Sequence, residues 1–330
     1  MAWWRFALSL AALALVAGAC LTPPARADDP APVWSTRAPL LEPNSEFAVA
    51  ELDGKVYIIG GYPATRLTVT TVQVYDSAKD EWELTTPLPQ PINHGMAAAF
   101  DGKVYHIGGQ TTAQGEYLDT VLEYDPATAI WTPRAPMPTE RSAGVAAVID
   151  GRIYVAGGRP PRGNDFAVYD PRQDTWTTLP DLPTARNHIA AAAIDGVLYV
   201  VGGRFGGGFQ SEMTDVLEVY DPATGEWTTR SPMPTVRGGI NGIAANGCFY
   251  VWGGEGQTDT HPMGVFAEVE VYNPVNDAWQ RLDPMPVPVH GVTGAAFVDG
   301  WVHIPGGGTA VGGSSGSTLH QVFRPEAECR

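Results

Sequence analysis

Short apolar runs that end in two glycines recur along this 330-residue chain. The first is VYIIGG at residues 56–61. Apolar runs of this length, bounded by turn residues, are typical of buried β-strands. An Asp-Gly or Asn-Gly pair precedes each run, and such a pair between apolar segments is a strong signal for a β-hairpin. The six glycine pairs lie 45 to 53 residues apart, at Gly60-Gly61, Gly108-Gly109, Gly157-Gly158, Gly202-Gly203, Gly253-Gly254 and Gly306-Gly307.

Two further blocks repeat with the glycine pairs. After each of the first five pairs, a tyrosine is followed seven residues later by a tryptophan, as in VQVYDSAKDEW. An alanine-rich run such as MAAAF or AAAAI precedes most of the hairpin turns. These runs are too short for helices and end at turn residues, so we interpret them as strands. The repeat predicts four strands in roughly every 50 residues, which is the organisation of a β-propeller blade.

The last repeat is incomplete at its C-terminal end. Phe323 occupies the position of the tyrosine, so the position of the tryptophan falls on Arg330. The segment WSTRAPL, which starts at Trp34, has the sequence of a fourth strand and precedes the first repeat. We therefore expect this N-terminal strand to complete the sixth blade and close the ring, which removes an exposed sheet edge.

The glycine pairs, the following tyrosine and tryptophan, and the repeat length resemble kelch repeats over residues 34–325. The departures are mild: His303 stands where the other second strands have tyrosine, and Asn273 and Phe323 depart from the Tyr-Asp pair. The resemblance implies an all-β fold, a six-bladed kelch β-propeller with four antiparallel strands per blade. We assign residues 28–330 to this domain.

The first residues resemble a secretory signal peptide. Arg5 precedes an apolar segment of 14 residues, and Ala25-Arg26-Ala27 fits an A-x-A cleavage site. We therefore expect residues 1–27 to be removed and the mature protein to be secreted or periplasmic. The alternative is a lipoprotein signal, with Cys20 lipidated and the protein anchored on the cell envelope. Ala17 stands where bacterial lipoproteins usually have Leu or Val.

Charge and cysteine content restrict the partners. The formal net charge of −16 disfavours nucleic acid and anionic membranes, which need basic surfaces. Membrane association is expected only if Cys20 is lipidated. Export would permit a disulfide, for which Cys248 and Cys329 are the candidates. We expect a monomer that holds no cofactor and no metal.

The face where the long loops converge is the expected binding site. Three sets of repeat positions line it. Directly after the glycine pairs come Tyr62, Gln110, Arg159, Arg204, Glu255 and Gly308. Seven residues before each hairpin turn come Glu46, His94, Ala143, His188, Gly239 and Val292. Nine residues before it come Asn44, Ile92, Arg141, Arg186, Arg237 and His290.

The arginines in these sets have two interpretations. In the first, they form a cationic mouth for a carboxylate or an acidic peptide, since guanidinium groups match carboxylates with paired hydrogen bonds. In the second, the arginines nine residues before the turn tie their loop to a neighbouring blade, because recurrence at one repeat position favours a structural role. The candidate ligand-binding residues are Arg159, Arg204, Glu255, His94, His188, Glu46, Arg141, Arg186 and Arg237.

Catalytic motifs are few. The sequence contains no serine-nucleophile, phosphate-binding or zinc-protease motif. Glu255, Asp259 and His261 share one loop and could bind a metal, but without a second cluster we interpret this loop as solvated. In overall plan the chain is similar to the periplasmic N-acetylneuraminate epimerases, which handle an acidic sugar. That similarity implies proton transfer by Glu46, Glu212 or Glu255.

The sequence therefore favours an extracytoplasmic binding protein that recognises a protein or glycan ligand, with an anionic ligand matching the cationic mouth. The alternative is an epimerase or mutarotase for a sialic-acid-type sugar. A buried glutamate beside an arginine in the mouth would favour the enzyme, and a flat, open mouth would favour the binding module.

Overall fold

The computed structural model describes Met1 and residues 33–112, 116–259 and 261–329, which form β-strands joined by turns and loops. The described residues include no helix that is long and apolar enough to cross a membrane. Cys20 and the predicted cleavage site at Ala27 lie outside the described residues.

Six antiparallel sheets contain nearly all of the strands, and each corresponds to one sequence repeat. In the first three repeats and the segment before them, the strands are β1 (Trp34–Thr36), β2 (Phe47–Leu52), β3 (Lys55–Ile59), β4 (Val72–Asp76), β5 (Glu81–Leu84), β6 (Met96–Phe100), β7 (Lys103–Ile107), β8 (Val121–Asp125), β9 (Ile130–Arg134), β10 (Val145–Ile149), β11 (Arg152–Ala156), β12 (Phe166–Asp170) and β13 (Thr175–Thr178). In the last three repeats they are β14 (Ala190–Ile194), β15 (Val197–Val201), β16 (Leu217–Asp221), β17 (Glu226–Arg230), β18 (Asn241–Ala245), β19 (Cys248–Trp252), β20 (Glu255–Gly256), β21 (Gly264–Val265), β22 (Val269–Asn273), β23 (Ala278–Arg281), β24 (Val292–Thr293), β25 (Ala296–Val298), β26 (Trp301–Pro305) and β27 (His320–Phe323).

The N-terminal strand closes the ring, as the sequence predicts. Strand β1 pairs antiparallel with β27, and Trp34 lies opposite Phe323. The sixth blade therefore has the order β25, β26, β27, β1 from the axis outwards. The short strand β24 pairs in parallel with β2 of the first blade, so the first and sixth blades also join beside the axis. The predicted six-bladed propeller with four antiparallel strands per blade is confirmed.

The glycine pairs mark the points where neighbouring backbones meet. Gly60 and Gly61 both have positive φ, 66° and 102°. A Cβ on Gly60 would lie 2.2 Å from the carbonyl oxygen of Ile92 in the next blade, and one on Gly61 would lie 2.6 Å from that of Ser45. The N–H of Gly61 donates to the Ile92 carbonyl at 2.8 Å. A side chain at either position would block this contact, which explains why the strand ends in glycine.

The repeated tyrosine and tryptophan also join neighbouring blades. Tyr75 lies opposite Trp82 in the sheet, and the two rings pack with centroids 5.2 Å apart. The indole N–H of Trp82 donates to the carbonyl of Ala38 beside the preceding blade at 2.9 Å. The Tyr75 hydroxyl donates to Asp80, which also accepts the N–H of Ala38. The invariant interval from tyrosine to tryptophan therefore follows from blade-to-blade hydrogen bonding.

The hydrophobic core consists of six clusters, one between each pair of adjacent blades. Several alanines of the first strands, such as Ala97, Ala146 and Ala191, line the axis, where the blades crowd together and small side chains fit. At the short-turn end, Cys248 and Cys329 form a disulfide with Cα atoms 5.1 Å apart. The disulfide joins the C-terminal segment to the fifth blade.

Candidate functional site

A closed ring of backbone hydrogen bonds surrounds the axis at the long-loop end. One residue from each blade donates its N–H to the carbonyl of the equivalent residue in the preceding blade. Each of the six residues therefore donates once and accepts once. The residues of this ring are Glu46, His94, Ala143, His188, Gly239 and Gly291. All six have positive φ, between 51° and 69°. The ring fixes the backbone from which the side chains of Glu46, His94 and His188 reach the axis.

The ring corrects the sequence alignment in the sixth blade. Counting back from the hairpin turn assigns Val292 to the ring position and His290 to the arginine set. The structure assigns the ring position to Gly291. His290 pairs with Gly308, just as Asn187 pairs with Arg204, so it belongs one position before the ring. The first strand of this blade is interrupted between β24 and β25 and contains one extra residue, which shifts the count.

Three of the candidate arginines lie between blades rather than in the mouth. Arg141, Arg186 and Arg237 are almost fully buried, at 1%, 0% and 0% exposed. The Arg186 carbonyl accepts the N–H of Gly158 in the third blade, while its guanidinium contacts Glu218 and donates to the Val200 carbonyl in the fourth. Arg237 likewise contacts a glutamate, Glu270, whereas Arg141 donates to backbone carbonyls of its own blade, and neither lines the axial cavity described next. The structural interpretation of these three residues therefore fits the geometry.

A small cavity lies above the ring, and we call it the axial cavity. Its volume is about 100 Å³. It is lined by Glu46, Tyr62, Arg66, His94, Arg159, Arg204, Gly207, Gly208, Phe209, Glu255, Gly312 and Gly313. The glycines and Phe209 belong to the loops that follow β15 and β26, so glycine-rich segments of the fourth and sixth blades line the cavity.

Glu46 and His94 form a buried acid–base pair. Each is 4% exposed, and Glu46 Oε2 lies 3.1 Å from His94 Nε2. Burial alone would raise the pKa of the Glu46 carboxyl, but the contact with His94 and the nearby His290 outweigh it and hold this pKa well below its usual range. Burial lowers the pKa of His94, and Glu46 opposes that shift. Glu46 is therefore an ionised carboxylate at neutral pH.

Asparagine side chains orient two histidines toward the axis. Nδ1 of His94 contacts Oδ1 of Asn93, and Nδ1 of His188 contacts Oδ1 of Asn187. Each asparagine uses its amide nitrogen for other oxygen acceptors, so its Oδ1 faces the imidazole. An oxygen acceptor requires a proton on Nδ1, which leaves Nε2 of each ring directed to the axis. Burial, followed by the charges of nearby arginines, lowers the pKa of His188 well below its usual value.

Two guanidinium groups face these side chains. Arg204 Nη1 donates to Glu255 Oε1 at 2.9 Å, and both side chains are at most 2% exposed. Arg159 is partly exposed, and its Nη2 lies 3.1 Å from His94 Nε2 and 3.4 Å from His188 Nε2. Burial and the charge of Arg204 lower the pKa of Arg159. Of these two guanidinium groups, that of Arg159 is thus the more accessible to a ligand that enters the cavity.

In the part of the chain that the structure describes, two overlapping groups have the residue types and spacing to hold a metal ion. One is Glu46, His94 and His188, and the other is Glu46, Glu255 and His290. Within each group the candidate ligand atoms lie within 4.8 Å of one another. His290 is 2% exposed and was placed with the arginines in the sequence alignment, so its role at the axis was missed.

The remaining sequence candidates lie outside the axial cavity. Glu212 is exposed and lines a groove together with Asp259. His261 stacks on Phe266 with ring centroids 4.0 Å apart, and its Nδ1 contacts the Pro262 carbonyl at 2.6 Å. Of the described residues in the loop that follows β19, Glu255 alone lines the cavity. The structure thus separates Glu255 from Asp259 and His261.

Comparisons with known proteins agree on the repeat. A family model for the KLHDC2/KLHL20/DRC7 Kelch-repeats domain matches residues 32–203 and, in an overlapping match, residues 134–308. Kelch-like protein terF of Aspergillus terreus (strain NIH 2624 / FGSC A1156) is 36% identical over 101 residues, 30% of this chain and 21% of that protein. Kelch-like ECH-associated protein 1B of Danio rerio is 30% identical over 119 residues, 34% of this chain and 18% of that protein.

These matches cover about a fifth of each relative's own length. Among solved structures, the one described as "Structure of YjhT" superposes with a TM-score of 0.74 and covers 89% of this chain and 98% of that chain. The sequence identity to it is 17%, so this likeness concerns the fold alone.

Proposed function

The chain belongs to the kelch-repeat family, and from this premise we propose that it binds an acidic sugar in the axial cavity and exchanges the anomers of that sugar. The observation that carries the proposal is the convergence of Glu46, Glu255, Arg159 and Arg204 on one enclosed cavity. A surface that serves only to dock a protein does not need buried carboxylates paired with guanidinium groups. The signal-like first residues support an extracytoplasmic location for this activity.

The arginines account for the preference for an anionic ligand. Arg204 already donates to Glu255, whereas Arg159 is partly exposed and contacts neutral imidazoles and the Gly207 carbonyl. A ligand carboxylate would give Arg159 the anionic partner that these contacts do not provide. The cavity of about 100 Å³ has room for a carboxylate and part of a sugar ring, so binding of the whole acidic sugar requires the glycine-rich loops to move aside.

Glu46 is suited to the proton transfer that anomer exchange needs. Its carboxylate removes the proton of the anomeric hydroxyl, and the bond between the anomeric carbon and the ring oxygen breaks with its electron pair on the ring oxygen. That oxygen takes a proton from water at the cavity entrance. Closure on the other face of the carbonyl reverses both transfers. General base catalysis of this kind typically contributes about 100- to 10,000-fold in rate.

The test is exchange spectroscopy by NMR with N-acetylneuraminic acid, and with galactose as the neutral control. We expect the wild type to accelerate anomer exchange of the acidic sugar only. Glu46→Gln should lower the acceleration by at least ~100-fold. Arg159→Ala should weaken binding by roughly 10- to 100-fold, as expected for a lost charged hydrogen bond. His261→Gln, outside the cavity, is the matched control and should leave both unchanged.

The outcomes separate the two parts of the proposal. Binding without exchange would refute catalysis and retain the sugar site. No binding of any acidic sugar would refute both parts.

A second function, protein binding, is supported by a separate observation. Kelch propellers generally mediate protein interactions, and three apolar side chains are exposed on loops of the long-loop face. These are Leu67, Phe205 and Met263, which are 69%, 39% and 37% exposed. Replacing all three with serine should abolish capture of a protein partner and leave sugar binding intact. A partner retained by this variant would argue against the surface.

A further inference from the structure

Three buried polar atoms converge beside the axial cavity with no hydrogen bond between His290 and the two carboxylates. His290 Nδ1 lies 3.6 Å from Glu46 Oε1 and 3.6 Å from Glu255 Oε2. A separation of 3.6 Å is too long for a hydrogen bond. All three residues are at most 4% exposed. Among the described residues, His290 Nδ1 has no hydrogen-bond partner.

The other contacts of His290 define its protonation. Its Nε2 lies 2.8 Å from the carbonyl oxygen of Ala310. A carbonyl oxygen can only accept, so Nε2 carries a proton, and the neutral form of the ring presents its Nδ1 lone pair to the two carboxylates. Two carboxylate oxygens and one imidazole lone pair repel one another in a buried site. A cation among them removes this repulsion.

The separations of His290 Nδ1 from the two carboxylate oxygens fit a metal ion. Zinc binds histidine nitrogen at about 2.0–2.1 Å and carboxylate oxygen at about 2.0–2.2 Å, so two ligands at a tetrahedral angle are separated by roughly 3.4 Å. The observed separations of 3.6 Å are close to this value. A metal-bound histidine usually donates its second N–H to a backbone carbonyl or carboxylate, as His290 does to Ala310.

The surroundings also hold Glu255 in place. Its Oε1 accepts from Arg204 Nη1 at 2.9 Å, and its Oε2 accepts from the N–H of Gly312 at 2.7 Å. We propose that Glu46, Glu255 and His290 form a binding site for a divalent first-row transition-metal ion such as Zn²⁺. The donor set of one nitrogen and two oxygens suits such ions.

The second group of metal-type residues does not fit in the same way. Between His94 and His188, the guanidinium of Arg159 lies 3.1 Å and 3.4 Å from the two Nε2 atoms. A cationic group already occupies the position that a metal would take. The metal is therefore assigned to His290 and not to the other two histidines.

The inference goes beyond the proposed function, because metal binding is measured here without any sugar. Protein dialysed against EDTA would be titrated with ZnCl₂ in competition with a chromogenic chelator. We expect the wild type to bind a single Zn²⁺, and Glu46→Gln, Glu255→Gln and His290→Gln to weaken binding by at least ~10-fold. His261→Gln changes a histidine outside the site and should bind as the wild type does.

Two measurements on the wild type keep the test independent of whether the variants fold. Zinc should raise the melting temperature of EDTA-treated protein, and Co²⁺ should give a visible absorption band that zinc displaces. Failure of EDTA-treated wild type to bind zinc at millimolar concentration would overturn the proposal. So would an unchanged zinc affinity in folded His290→Gln, or a loss of zinc binding in His261→Gln. Anomer exchange that persists in EDTA would leave the sugar site standing whatever the zinc result.

Discussion

His106 is predicted to make the second blade sensitive to acid. It lies in β7, is fully buried, and packs so closely on Gly95 that a Cβ there would lie 2.2 Å from its Nε2. Neither ring nitrogen has a hydrogen-bond partner among the described residues. Burial lowers the pKa of His106 from 6.5 to about 4. The folded protein therefore holds this imidazole neutral at a pH where the unfolded chain protonates it.

The direction and the size of the change in the free energy of unfolding follow from this difference in pKa. Above pH 6.5 both states are neutral and His106 has no pH-dependent effect. As the pH falls from about 6.5 to about 4, the unfolded chain binds the proton first, so the free energy of unfolding decreases. A difference of about 2.5 pKa units corresponds to about 3 kcal/mol when complete and to about 2 kcal/mol at pH 5. Below pH 4 both states are protonated and the effect is constant.

The assay is urea unfolding at pH 7.5, 6 and 5, with wild type compared with His106→Leu. Leucine removes the titrating ring and keeps an apolar side chain of similar size. His303 and His320, with pKa values lowered to about 4 and about 3, add to the loss in both proteins, so only the difference between them reports on His106. We expect the wild type to lose about 2 kcal/mol more than the variant between pH 7.5 and 5. If the free energy of unfolding changed with pH in parallel in the two proteins, the loss of stability in acid could not be assigned to His106.

Three further predictions concern the site and the disulfide. Arg204→Ala should destabilise the fold by about 3–5 kcal/mol, because it leaves Glu255 buried and unpaired. Adding Glu255→Gln to this variant should restore part of the loss. Urea unfolding in which the losses of the two single variants simply add would contradict the pairing. Gly291→Ala should cost about 1–2 kcal/mol or more, since its Cβ would meet the Glu46 carboxylate at 2.7 Å, whereas Ala143→Gly at the equivalent position should cost nothing. Reducing the disulfide, whose cysteines are 81 residues apart, should lower stability by up to about 4 kcal/mol, and an unchanged melting temperature with thiols titrated would count against it.

The fold could be predicted from the regular intervals between repeated residues, whereas only some of the residues at the axial cavity could be predicted from them. The repeat predicted Arg204 and Glu255 on the long-loop face, where they line the axial cavity, because each directly follows a glycine pair at a fixed point of the blade. It missed His290, since the extra residue in the sixth blade falls inside the interval used for counting. Counting forward from the buried apolar residue six positions before the ring would have succeeded: Leu40, Leu88, Met137, Leu182, Met233 and Met285 all keep this interval.

The contacts between blades could not be predicted from the sequence. Whether Arg186 faces the axis or a neighbouring blade depends on the direction of its side chain, and the repeat position alone does not specify this. The tautomer of His290 depends on the Ala310 carbonyl, which lies 20 residues away on a loop of variable length. Such pairings arise from loop geometry rather than from strand periodicity.

The ring of backbone hydrogen bonds explains why the chemistry lies where it does. Its geometry requires positive φ, which costs a side-chain-bearing residue about 1–2 kcal/mol relative to the right-handed conformation. Gly239 and Gly291 avoid this cost, and Ala143 bears it without contributing a polar group. Backbone strain alone therefore does not identify function. What distinguishes Glu46 is that its strained position also places an ionised carboxylate within reach of both an imidazole pair and the cavity, which a glycine there could not supply.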